Sequence, residues 1–340
     1  MNKEKIEFIF KKIKLILNYF FCIIGIIVFC FFLIEFLGHI IYKEDFKEQL
    51  IDYKYHPYLD FISEMRKTDN PCFDSNKDYL LIYMYGGSTM WGVSANDDET
   101  IPSYLSNILC SQSINVKIVN FGMLSHISTQ EMIKLVLQLR DGQRPDIVIF
   151  YDGVNDIAST IPDYPYDITY NLFKELKKNN FLKTTSNIFE NLEFNSNNYF
   201  DFFFNNYYGN LYNNYDEKMI VNESLKFYLN NVKFIKSLEN NYNFKSFNYW
   251  QPNLVTKKKI SEDEFEIFKL NKYNFYLDRY NLSKKILLEI NLTNKNIIDL
   301  SNIFDNYSDT IYIDDCHKFP IGNKIIAQRM ANDIIKYLND

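Results

Sequence analysis

From Leu15 to Ile34 only Asn18 and Gly25 interrupt a run of twenty apolar positions, long enough to cross a bilayer core of about 30 Å as one helix. Residues 43–78 then show little periodicity. Beyond them, short apolar runs alternate with amphipathic ones. Leu80–Tyr85, Val116–Asn120 and Ile147–Tyr151 read as strands, and Ser246–Trp250 and Asn296–Leu300 as two more. Between them the spacing predicts helices at Ile101–Leu109, with Pro102 in the first turn, and at Glu223–Asn240. Another is predicted from a capping box, Ser128-Thr-Gln-Glu131, to Arg140. A last helix carries Ile326, Met330, Ile334 and Leu338 at four-residue spacing. Strands this short and apolar, alternating with helices, predict a parallel sheet covered on both faces. The alternation lapses over about 161–217, which is crowded with Asn, Tyr and Phe. That stretch is too aromatic for a free linker and is expected to be an insertion packed over the domain, helical in places such as Asn171–Lys178. No internal repeat appears.

The flanks of the apolar run set its orientation. Lys3, Lys5, Lys11, Lys12 and Lys14 precede it, whereas Lys43 and Lys47 sit among Glu44, Asp45 and Glu48. The run exceeds a signal-peptide core, and no small-residue cleavage site follows it. The positive-inside rule then predicts a cytoplasmic N-terminus (1–14), an uncleaved signal anchor (15–37), a juxtamembrane segment (43–78) and an extracytoplasmic domain (79–340).

Composition narrows the partners. The chain of 340 residues has a net charge of −6 although its first fourteen residues are basic, so the remainder is distinctly acidic. Its one basic run, Lys257-Lys258-Lys259, reads as a solvated loop. An acidic domain without basic clusters excludes a role on nucleic acid. Cys22 and Cys30 fall in the apolar run, leaving Cys72, Cys110 and Cys316, an odd number that excludes a complete disulfide framework. A Cys72–Cys110 bridge is open to an oxidising compartment, and the sequence does not decide it.

Candidate chemistry sits at the strand ends. The first strand stops at Gly86-Gly87 and delivers Ser88, as α/β enzymes present a nucleophile on a glycine-lined turn. The second ends at Asn120-Phe121-Gly122 and the third at Asp152-Gly153-Val154-Asn155-Asp156. In an open parallel sheet these turns meet in one crevice. The Ser88 N–H, the Gly122 N–H and the Asn155 amide can there aim three donors at a developing oxyanion. His317 can act as general base, with Asp314 three residues earlier on its other ring nitrogen and Asp315 as a rival. His56 and His126 have no obvious partner and read as structural.

These four blocks, in this order, resemble the SGNH hydrolases, also called GDSL-type esterases. The blocks read Gly86-Gly87-Ser88, Asn120-Phe121-Gly122, Gly153-Val154-Asn155-Asp156 and Asp314-Asp315-Cys316-His317, and the resemblance spans about residues 79–338. It implies a flavodoxin-like three-layer α/β/α sandwich, with Ser88, Asp314 and His317 catalytic and Ser88, Gly122 and Asn155 forming the oxyanion hole. Gly87 stands where many members have Asp. The Gly-Gly-Ser-Thr-x-Trp-Gly variant is similar to a membrane-anchored branch associated with bacterial surface polysaccharides. Gln251-Pro252 and His56-Pro57-Tyr58-Leu59 resemble that branch as well.

The expected activity is a serine esterase of the bacterial inner membrane that removes acyl groups, foremost acetyl, from a cell-surface glycan through an acyl-serine intermediate. It needs no metal or cofactor. Two alternatives carry the same blocks: an O-acyltransferase whose acceptor is a sugar hydroxyl, and a non-catalytic glycan-binding or assembly protein. Nothing in the sequence names a protein partner, the sugar or the acyl group.

Overall fold

Five apolar runs assemble into one parallel sheet. The computed structural model describes Tyr19 and residues 54–158, 217–270, 274–291 and 296–340. In it β1 (Leu80–Gly86), β2 (Val116–Asn120), β3 (Ile147–Asp152), β4 (Lys245–Trp250) and β5 (Ile298–Asp299) lie in the order β2-β1-β3-β4-β5, every pair parallel. This is the flavodoxin-like order, whose topological switch lies between β1 and β3.

The sheet is covered on both faces, which explains why β1 and β3 are apolar nearly throughout. On one side Ile82, Met84, Ile147 and Ile149 pack with Ile101, Leu105 and Leu109 of α2 (Ile101–Ser111) and with Ile326, Met330 and Ile334 of α8 (Pro320–Asn339). On the other, Tyr83, Tyr85, Val148 and Phe150 pack with Leu135 and Leu139 of α3 (Ser128–Arg140) and Ile235 of α5 (Glu217–Tyr242). Successive strand residues point to opposite faces, so a two-sided sheet favours apolar residues at consecutive positions. The short helices α1 (Ser88–Trp91) and α4 (Val154–Ala158) follow β1 and β3 directly, and α6 (Glu262–Leu270) and α7 (Asn274–Asn291) lie between β4 and β5.

Several expectations need correction. Ser128 does not cap α3. Its hydroxyl donates instead to Asp156 Oδ1 at 2.6 Å, and the Ile127 N–H donates to Gln130 Oε1 at 3.2 Å. The last strand is only two residues long, because it pairs with Tyr249 and Trp250 alone. Leu338, the fourth apolar residue of the α8 series, is 44% exposed. Lys257, expected on a solvated loop, is buried in an ion pair with Glu264.

The segment 54–78 is part of the folded unit rather than a featureless connection. It belongs to the compact unit that runs to Asp340. Lys54–His56 pairs antiparallel with Asp60–Ile62, and His56 Nδ1 accepts the Tyr58 and Leu59 N–H groups at the hairpin turn. Asn70 covers the open edge of β2: its Oδ1 accepts the Ile118 N–H at 2.8 Å and its Nδ2 donates to Ile118 O at 3.0 Å. An edge strand otherwise offers those groups to other chains. Cys72 and Cys110 form a disulfide, their Cα atoms 5.6 Å apart. The expected cytoplasmic segment (1–14), anchor (15–37, save Tyr19) and insertion (161–217, save Glu217 in α5) lie outside the described residues. Among the described residues no helix is long and apolar enough to cross a membrane.

Candidate active site

β1 runs out at Gly86, and Ser88 opens α1, where a first-turn N–H has no acceptor within the helix. α1 closes at Gly92, in a left-handed conformation, whose N–H returns to Ser88 O at 2.9 Å. This tight turn leaves Ser88 partly exposed at the carboxyl end of the sheet, with Thr89, Met90 and Trp91 buried beneath it. Thr89 Oγ1 donates to Gln251 Oε1 at 3.1 Å, tying the turn to the end of β4. From the 54–78 segment, Arg66 stacks over Trp91 at 4.5 Å, donates to Ala95 O and pairs with Asp97 at 2.8 Å.

The loop before α8 brings the base to this serine. His317 Nε2 lies 2.7 Å from Ser88 Oγ, and His317 Nδ1 lies 2.6 Å from Asp314 Oδ2. Asp314 Oδ1 accepts the backbone N–H groups of Cys316 (2.8 Å) and His317 (2.6 Å). Partial burial pushes the Asp314 carboxyl up. The His317 hydrogen bond and charge, with the two backbone donors, outweigh that and hold it well below the usual carboxylate range. The ring bond goes to Asp314 and not to Asp315, whose carboxyl is raised by burial and by the Asp314 charge. Cys316 is buried, which pushes its thiol up and away from nucleophilic use.

Buried charges fix that loop. Lys257 Nζ sits 2.5 Å from Glu264 Oε2 and donates to Asp309 O. Glu264 Oε1 accepts the Ile311 and Tyr312 N–H groups at 2.8 and 3.1 Å. Lys318, pushed down to about 8 by burial, donates to Cys316 O at 2.6 Å. The Lys257 and Glu264 contacts do not follow from local spacing, since each joins that loop to a side chain from another part of the chain.

The turns after β2 and β3 carry the other two expected oxyanion donors, Gly122 and Asn155. Asn155 Nδ2 donates to His126 O at 2.7 Å, which uses one of its two amide hydrogens and leaves the other for a ligand. The Gly122 N–H donates to Asn120 Oδ1 at 2.9 Å, so it can serve an oxyanion only by sharing that hydrogen. A Cβ at Gly122 would stand 2.5 Å from Trp91 N, so a glycine lets this turn lie against α1. Below, Asp156 anchors Ser128, and Asn231 donates to Ser128 Oγ at 2.9 Å. The carboxyls of Glu131, Asp152 and Asp156 are buried together there, and burial raises all three.

The structure thus brings Ser88, His317 and Asp314 into one chain of hydrogen bonds, with the Asn155 and Gly122 turns on the nucleophile's flank. The contribution that sequence reasoning missed is the His126 carbonyl, a backbone group that no motif reports. Asp314, Cys316 and His317 also present three donor atoms within 4.8 Å of one another. An ion there would compete with Asp314 for the His317 ring.

No protein-family model and no curated protein sequence matches this chain. Solved structures similar to it include an acetyl xylan esterase, AlAXEase (15% identity, TM-score 0.41), aligned over 75% of this chain and 100% of that one. A carbohydrate acetylesterase family member from Sinorhizobium meliloti aligns over 77% and 100% (10% identity, TM-score 0.42). A member of the lipolytic G-D-S-L family from Veillonella parvula DSM 2008 aligns over 74% and 97% (10% identity, TM-score 0.39).

Proposed function

We propose that this protein is a serine ester hydrolase that removes acyl groups, foremost acetyl, from an extracytoplasmic glycan. The observation that carries this reading is the continuous relay Ser88 Oγ, His317 Nε2, His317 Nδ1, Asp314 Oδ2, with links of 2.7 and 2.6 Å. Ser88 Oγ attacks the ester carbonyl while His317 Nε2 takes its proton. The Ser88 N–H and the second Asn155 amide hydrogen stabilise the tetrahedral oxyanion. His317 then returns the proton to the departing sugar hydroxyl, leaving an acyl-serine that water cleaves by the same relay. Asp314 keeps the ring proton on Nδ1 and balances the imidazolium as it forms.

The location belongs to the same reading. The basic flank before residues 15–37 supports an anchor with the domain outside the cytoplasm, and the Cys72–Cys110 disulfide suits an oxidising compartment. The test uses the full-length chain in detergent with 4-nitrophenyl acetate, a fluorophosphonate probe and an acetylated oligosaccharide. The expected result is ester hydrolysis, labelling at Ser88 and loss of both in Ser88→Ala. Labelling elsewhere, or full activity in Ser88→Ala, overturns the proposal. Acetyl transfer to an added sugar acceptor in preference to water would identify an O-acyltransferase on the same residues.

A further inference from the structure

A closed circuit of chain and hydrogen bonds runs through the nucleophile and its base. Thr89, the residue after Ser88, donates through Oγ1 to Gln251 Oε1 at 3.1 Å. At the other end of the turn that follows β4, the Leu254 N–H donates to Asp315 O at 2.9 Å. Along that loop His317 Nε2 comes back to Ser88 Oγ at 2.7 Å, closing the circuit. The 251–254 turn therefore holds the serine's neighbour with one end and the base loop with the other. Ser88 and His317 are 229 residues apart in the chain, so what lies between them in space sets their separation.

The turn itself is rigid. Tyr280 Oη donates to Gln251 O, and the Gln251 N–H donates to Asp152 O at 2.8 Å. Pro252 fixes its own φ, and Asn253 Oδ1 accepts the Val255 N–H at 3.0 Å. Thr256 Oγ1 donates to Ser301 O at 2.8 Å. The Leu254 link to the base loop is made by backbone and survives a change of side chain. On the serine side the link is one pair of buried side chains, Thr89 and Gln251. Asn120 and Arg66 hold the far end of α1, at Met90 O and the Trp91 ring. With four residues, α1 is too short to keep its orientation by its own hydrogen bonds.

We infer that Gln251 is a positioning residue: through Thr89 it ties the nucleophile turn to the turn that carries the base loop, and so keeps Ser88 Oγ in reach of His317. This rests on the serine-hydrolase reading and deepens it. Without the bond, the end of α1 that bears Ser88 loses its tether to that turn. A base must lie within hydrogen-bond reach of the proton it takes, and a misplacement of about 1 Å can cost about a hundredfold. The loss is felt when Ser88 attacks rather than when ester binds, so it falls on kcat and not on KM.

The experiment compares wild type, Thr89→Val, Thr89→Ser, Gln251→Met and the Thr89→Val/Gln251→Met double variant. The readouts are kcat and KM on 4-nitrophenyl acetate and the thermal midpoint of each. Valine and methionine keep the buried volume and remove the bond, whereas serine keeps the hydroxyl. Wild-type turnover and fluorophosphonate labelling of Ser88 test the hydrolase reading separately. Thr89→Val and Gln251→Met should each lose at least about tenfold in kcat, with KM within about threefold of wild type. The double variant should be within about threefold of the slower single variant, because all three lack the same bond. Thr89→Ser should keep at least about a third of wild-type kcat, since its hydroxyl can still donate to Gln251. The inference fails if any of these limits is crossed, as it would be by losses that multiply in the double variant. It fails equally if the variants lacking the bond are unfolded at the assay temperature, because the bond then serves the fold and not the site.

Discussion

Replacing Asp314 by Asn removes a charge and nothing else, and the surrounding hydrogen bonds determine the consequence. Asp314 accepts three donors: His317 Nδ1 on Oδ2, and the Cys316 and His317 N–H groups on Oδ1. An amide has one acceptor oxygen. With that oxygen on the two backbone donors, its NH2 faces His317 Nδ1. The ring must then carry its proton on Nε2, where it cannot accept the one from Ser88. The opposite orientation keeps the productive tautomer but sets an NH2 against two N–H donors. It leaves two N–H donors facing another donor, each costing roughly 1–3 kcal/mol when unsatisfied. The unproductive orientation is therefore favoured by about 3 kcal/mol or more, leaving under about one molecule in a hundred competent. Loss of the carboxylate that balances the imidazolium adds to this, and the combined effect should approach ten-thousandfold in kcat, or about 5.4 kcal/mol. Asp315→Asn, which leaves the ring contacts intact, is the control. The assay is kcat on 4-nitrophenyl acetate together with the thermal midpoint. A loss of less than tenfold in Asp314→Asn, or a larger loss in Asp315→Asn, refutes the reasoning.

Buried contacts elsewhere carry two further expected outcomes. Glu264→Gln leaves the Lys257 ammonium buried and uncompensated, which should cost about 3–5 kcal/mol. The Glu264 carboxyl is pushed up by burial, but Lys257 and the backbone donors at 261, 311 and 312 leave it below its ordinary value. Its stabilisation is therefore present above about pH 4.3 and is lost as pH falls toward the folded value. Thermal midpoints of wild type and Glu264→Gln should converge as pH drops below about 4, and parallel curves would exclude the mechanism. The Cys72–Cys110 bridge closes a sequence separation of 38 residues, worth roughly 4 kcal/mol by chain entropy. Thiol alkylation of the full-length protein in membranes should find both cysteines oxidised, and Cys72→Ser should lower the denaturation midpoint. Free thiols at both positions in the native protein would contradict the extracytoplasmic placement.

The parts legible in the sequence are those whose physics is local. β1 and β3 announce themselves because a strand covered on both faces favours apolar residues throughout, and β2, an edge strand that carries Lys117, because it ends like them in residues suited to a turn. Asp314 could be preferred to Asp315 only through the three-residue spacing that the resemblance to SGNH hydrolases implies. The features that stayed hidden depend on partners far along the chain. The Ser128 hydroxyl looks like a helix cap until Asp156, 28 residues away, takes it. Lys257 looks like one of three solvated lysines until Glu264 and the Asp309 carbonyl enclose it. The hairpin at 54–62 has strands of three residues, too short for any periodicity to register. Gly87 shows the limit most clearly. A glycine beside a nucleophile invites an explanation from backbone freedom, yet its φ of −75° makes no such demand. Beside it lies the amide of Asn155, a residue from another strand end, which donates to the His126 carbonyl of a third turn. Such a neighbour is absent from any local pattern and appears only when three strand ends are set side by side.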